Sequence, residues 1–265
     1  MHLADGVLTE PAVVLALDAV GLGAVALALR RGFDRSARGL AWTGTLAAFV
    51  LAVQALNVPL VPGASAHAIG TALLVLCLGP ARAVVALTAV LLVQALLLGD
   101  GGLTVLGLNV LDMAVLPALV TWGLARALGA SRDRLAWAGF LGAWLGTTLG
   151  AAGLATALVL GAGAPARLTF AWLVGAQSLA GLAEGVLTAL AVRELVRRAP
   201  RLVGLGAARR DAPEALDAQS AAPGAVTHRG LGWLAAVLVV TVLLVPLAST
   251  SPDALEIVLH HLRAR

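Results

Sequence analysis

Continuous apolar stretches recur along this chain, at about 11–29, 40–58, 68–79, 82–98, 108–125, 135–161, 168–192 and 230–247, and nothing constrains its fold more. A helix needs about 20 apolar residues to cross a bilayer. A transmembrane barrel would show alternating rather than unbroken hydrophobicity, so the runs read as helices whose backbone groups are satisfied within each segment. Only 12% of the 265 residues are charged, roughly half the share of a soluble domain. The expected fold is an all-α integral membrane protein, a bundle of seven transmembrane helices plus one C-terminal transmembrane helix. Its expected parts are a membrane domain over 1–195, a polar cytoplasmic linker over 196–229, and a last helix with a short tail over 230–265.

The breaks between runs carry the arginines. With the N-terminus outside, the inner segments 30–39, 80–82, 126–134 and 193–229 hold four, one, three and seven Arg, against Arg167, Arg263 and Arg265 outside. That asymmetry follows the positive-inside pattern and puts both termini outside a multi-pass protein; the expected location is a bacterial inner (plasma) membrane. The asymmetry also accounts for the net charge of +4 without a nucleic-acid partner; lipid is the expected surroundings. Residues 1–10 lack the positive start of a signal peptide. Every basic residue is Arg, so the chain has no P-loop lysine and no Schiff-base lysine. Any ATP hydrolysis is expected on separate subunits, and the chain itself is not expected to be an enzyme. Cys77 has no second cysteine to pair with.

Polar residues inside the runs are few: Asp18, Gln54, Gln94, Asn109, Asp112, Gln177 and Glu184. Most fall at the outer level, within reach of the N-terminus, while Gln177 and Glu184 lie deeper in the seventh run. Asn109 and Asp112 share a helix face through i, i+3 spacing. The opening MHLADG places an α-amine beside His2, so amine, amide nitrogen and imidazole Nδ1 of Met1-His2 form a ready chelate, to which His67 in GASAH adds a fourth nitrogen. An all-nitrogen set suits Ni(II) or Cu(II), then Co(II). Taken as residue types alone, two histidines are a sparse signal, and a solvated terminus with a loop histidine is the ordinary alternative. Ser65 beside His67 lacks the nucleophile elbow of a hydrolase. A secondary transporter that needs no ATP stays open as an alternative, although no internal repeat supports it. Gly142, Gly146 and Gly150 are spaced for close helix packing.

These residues resemble the CbiM/NikM family, the substrate-capture components of energy-coupling-factor cobalt and nickel importers. MHLADGVLTEP is similar to that family's MHIPDGFL-type opening. The block at 65–114, with SAHAIG, LGP, LLVQAL, GDGG and LNVLDMA, resembles its central block, and LAEGVLTAL at 182–190 its late EG..TA segment. The resemblance implies Ni2+ or Co2+ as transported cargo with no organic cofactor, held by Met1, His2 and His67. Asp5, Gln94, Asn109 and Asp112 would support those ligands, with Asp5 and Gly6 turning the terminus inward. It implies a transmembrane scaffold (T) component and two ABC ATPases as partners, facing small-residue surfaces such as Ala12, Ala16, Ala19 and Gly23. The tail STSPDALE resembles the PDGLE motif of the small CbiN and NikN subunits, so the chain looks like a fusion. Ala254 replaces the Gly of that motif, Gln177 stands where the family often has His, and Asp112 where it often has Asn.

Overall fold

The computed structural model describes residues 1–31, 33, 36–55, 58–61, 64–129, 131–204 and 254–263. The apolar runs become helices: α1 Pro11–Arg31, α2 Ala37–Gln54, α3 Thr71–Leu78, α4 Pro80–Val93, α5 Leu106–Val110, α6 Leu116–Leu128, α7 Arg132–Ala162 and α8 Ala166–Arg198. A final helix, α9, covers Ala254–Arg263. The linker beyond 204 and the expected crossing at 230–247 lie outside the described residues. Single π-turns at Gln94–Leu98 and Leu111–Val115 extend α4 and join α5 to α6, so that Pro80–Leu98 and Leu106–Leu128 each run as one rod. Among the described residues four helices are long and apolar enough to cross a membrane: Pro11–Arg30, Pro80–Leu98, Leu106–Leu128 and Arg132–Ala162.

Two features depart from the expected layout. The third run folds as only eight helical residues, about 12 Å at 1.5 Å per residue, which is short of the ~30 Å hydrocarbon core. And NVPLVPGAS does not simply end a helix: Val58–Val61 pairs antiparallel with Ala64–Ala66, Val58 opposite Ala66. Both have one cause. Ala66, His67 and Ile69, just before α3, are buried within the bundle, where non-helical backbone is tolerated only when protein covers it and satisfies its polar groups. The hairpin pairs part of that backbone, and α3 needs only the remaining depth.

Close packing is set by small residues. A side chain at Gly142 would meet Thr121, one at Gly146 would meet Pro117, and one at Gly150 the carbonyl of Asp112, so the glycine face of α7 lies against α6 and the second π-turn. Gly185 lies against Phe140 and Gly181 against Trp144 along the α7–α8 pair. Gly21 of α1 faces Gly107 of α5 backbone to backbone. The outward surfaces carry Leu15, Leu22, Leu27, Leu149, Leu160, Leu187 and Leu190, an apolar coat suited to lipid. On α9, Leu255 and Val258 are buried, and the helix packs on α8 and the hairpin.

Candidate metal centre

Residues 1–10 are not helical, yet Met1 and Leu3 are buried to 1% and 0% exposure. Side chains and loops of distant segments hold this strand-like lead in place. The Asn109 amide takes Leu3 at both ends: Leu3 N–H donates to Oδ1 at 2.9 Å and Nδ2 donates to Leu3 C=O at 3.0 Å. Gly102 N–H donates to the same carbonyl at 2.8 Å. Asp5 Oδ1 accepts from Thr104 N–H at 2.8 Å and from its hydroxyl at 2.6 Å. Those Thr104 bonds hold the Asp5 carboxyl below its ordinary value. Gly6, at φ 76°, makes the turn, and Thr9 and Glu10 N–H groups both donate to Gly161 C=O.

The Met1 amine then lies 3.3 Å from His67 Nε2. His67 Nδ1 is 3.1 Å from Ala68 C=O; with the ring proton on Nδ1 and donated there, the Nε2 lone pair is directed at the amine. The His2 and His67 rings stack at 5.0 Å and 14°. His2 Nδ1 lies 3.2 Å from Asp100 Oδ1, and the imidazole is 3% exposed against 53% for the carboxylate. Burial pushes the Asp100 carboxyl up, but the His2 hydrogen bond and the neighbouring positive charge outweigh it and leave the group below its ordinary value. His2 Nε2 is buried with no partner. The three nitrogen-bearing residues expected to act together are thus adjacent, and their side chains are buried. Among the described residues no group of three or more His, Cys, Asp and Glu side chains is arranged to hold a metal ion by itself, so a metal here would also need main-chain nitrogen.

Of the expected supporting residues, Asn109 and Asp5 hold the leading segment. Gln94 stands one step further away: its Nε2 donates to Gln54 Oε1 at 2.9 Å, and Gln54 Nε2 donates to Ile69 C=O at 2.7 Å. Asp112 is buried with neither carboxylate oxygen partnered, in electrostatic reach of the terminal amine. Gln177 is buried with Oε1 unpartnered.

Two residues were given no role at this site by the sequence reading. Asp100 sits in a glycine turn that reads as mere loop, although an acid one helix end from Gln94 was a usable signal. Glu184, expected to lie deeper than the other polar groups, meets the His67 loop directly. Its Oε2 accepts from Ile69 N–H and its Oε1 from Gly70 N–H, both at 2.8 Å. Because the loop dips, the level of Glu184 and the level of the loop coincide.

Residues 2–202 match the family described as "Cobalt uptake substrate-specific transmembrane region", CbiM. The chain is 36% identical over 217 residues to the cobalt transport protein CbiM of Sorangium cellulosum, covering 77% of this chain and 94% of that protein. It is 34% identical over 227 residues to the fused nickel transport protein NikMN of Rhodobacter capsulatus, and spans 64% of that longer relative. It also superposes on the crystal structure of a truncated transition metal transporter with TM-score 0.60 at 27% identity, covering 74% of this chain and 97% of that one. A family match running from His2 to Leu202, beside a relative aligned along nearly its whole length, shows that this multi-helix membrane chain belongs to the CbiM family of cobalt and nickel transport proteins.

Proposed function

We propose that the chain is the metal-capture subunit of an ATP-driven, energy-coupling-factor importer for Ni(II) or Co(II). The observation that carries this is the Met1 amine 3.3 Å from His67 Nε2, with the His2 ring stacked alongside in a buried pocket. The ion would take the Met1 amine, the His2 amide nitrogen, His2 Nδ1 and His67 Nε2. In the arrangement described, His2 Nδ1 is engaged by Asp100, so loading exchanges that carboxylate for the ion. Asp100 is then the half-exposed group at which a hydrated cation first meets the site. Binding also expels protons, because an amide nitrogen and neutral amine and imidazole are required.

In this reading α1, α2, the hairpin with α3, α4, α5–α6, α7 and α8 act as seven crossings, the hairpin and α3 sharing one. Residues 230–247 add an eighth and leave both termini outside. A scaffold subunit and two ATPases reorient the bundle to release the ion inside. Ala12, Ala16, Ala19 and Gly23, all exposed on α1, are the surface offered to that scaffold.

The test is metal stoichiometry and affinity for wild type, His2→Ala, His67→Ala, and a variant with one Ala inserted between Met1 and His2. The insertion keeps every side chain but enlarges the chelate ring. Loss of Ni(II) and Co(II) in all three variants is expected; retention in the insertion variant would remove the amine from the site. Uptake into vesicles containing this chain alone would replace the ATP-driven mechanism with secondary transport.

A further inference from the structure

His67 needs a fixed height and direction if its Nε2 is to meet the terminal amine, and it sits on non-helical backbone between a short hairpin and α3. Such a segment has no helical ladder to stiffen it. Two residues on, the Ile69 peptide is gripped from both sides. Its N–H is taken by Glu184 and its C=O by Gln54, at 2.8 and 2.7 Å. Gly70, at φ 83°, turns the chain into α3, and its own N–H is taken by the second Glu184 oxygen at 2.8 Å. A carboxylate spanning two consecutive N–H groups fixes both the position and the orientation of that turn. Charge-assisted hydrogen bonds of this kind are roughly twice as strong as neutral ones. Glu184 is buried to 5% exposure and stands on α8, 115 positions away. Nothing about holding α8 against its neighbours requires an acid there.

We propose that Glu184 is a positioning residue of the metal site, acting through His67: its carboxylate clamps the Ile69–Gly70 turn and so aims the imidazole at the Met1 amine. This rests on the metal-capture reading above. Gln at this position keeps one acceptor and turns an NH2 group towards the second N–H, so the turn is released on one side only.

The experiment is a double-mutant cycle read with Cu(II), which binds nitrogen sites more tightly than Ni(II) or Co(II) and so remains measurable on the Met1–His2 chelate when His67 is removed. Cu(II) affinity and the visible spectrum of the bound ion are compared for wild type, Glu184→Gln, His67→Ala and the double variant in the full chain. Glu184→Gln is expected to weaken binding about 10- to 100-fold and to shift the spectrum towards that of His67→Ala. In the His67→Ala background the same change should have less than about a 2-fold effect, because coupled residues are not additive. An equal fall in both backgrounds overturns the proposal and makes Glu184 a general support of the fold. A wild-type chain that binds no Cu(II), Ni(II) or Co(II) overturns the capture reading itself. If Glu184→Gln does not reach the membrane, Glu184→Asp, with both oxygens on a stem shorter by one carbon, carries the same cycle.

Discussion

A primary amide has the donor and acceptor of a peptide group, and Asn109 uses both on Leu3 as a neighbouring strand would. Asn109→Asp loses the donor and sets a carboxylate oxygen against the Leu3 carbonyl, while Asn109→Ala leaves the buried Leu3 N–H unpaired and its carbonyl with Gly102 N–H alone. Either change should lower metal affinity about 10- to 100-fold with the ligands themselves intact, measured by titration of the purified protein. At this scale the sequence was informative wherever a residue's chemistry was unusual for its surroundings. Met1-His2, His67 and Asn109 stood out in that way, and the structure gathers them. Glu184 stood out as well and Asp100 lay in the GDGG motif, but neither could be given a role, because their partners lie 98 and 115 positions away and no local spacing records such a pairing.

At the scale of elements, α1 and α5 cross where both carry glycine. A Cβ on Gly21 would run into the backbone of Gly107, and one on Gly107 into the backbone of Asp18, whose carboxylate accepts from Leu108 N–H at 3.0 Å. Gly21→Leu must therefore push α1 away from α5, a change of the kind that costs about 1–3 kcal/mol. It should lower the thermal midpoint in detergent. Gly23 lies on the open face with nothing within 4 Å, so Gly23→Leu should leave midpoint and metal binding unchanged. Uptake in cells with the partner subunits should still fall in that variant, if this face meets the scaffold. Apolar length and arginine breaks located the helix ends of 11–198 to within about six residues, the largest difference at the end of α8, Arg198 against 192. They did not reveal the hairpin, since Pro59, Pro62 and Gly63 read as a plain interruption. The third run, 68–79, is already short in the sequence, but apolar composition does not report how far a loop descends to meet it.

For the molecule as a whole, acid should strip the metal before it disturbs the loops. Protons compete directly for the amine and imidazole nitrogens, so affinity falls as pH is lowered from neutral. The Asp5 carboxyl is held below its ordinary value by Thr104. The stability it contributes is present above the unfolded value, near pH 4, and is lost only as pH falls through the lower folded value. Metal titrations between pH 7 and pH 4 should therefore show weakening affinity with unchanged protection of the Thr104 amide against hydrogen exchange. Simultaneous loss of both would assign the pH effect to the loop instead.

The contacts that seat the leading residues come from Asp100, Gly102, Thr104, Asn109 and Gly161. During synthesis these emerge about a hundred residues or more after Met1 and are inserted helix by helix. The leading segment thus waits for partners made long after it, and ribosome-bound chains arrested before Asn109 has emerged should be unable to retain cargo however completely their earlier helices have entered the bilayer.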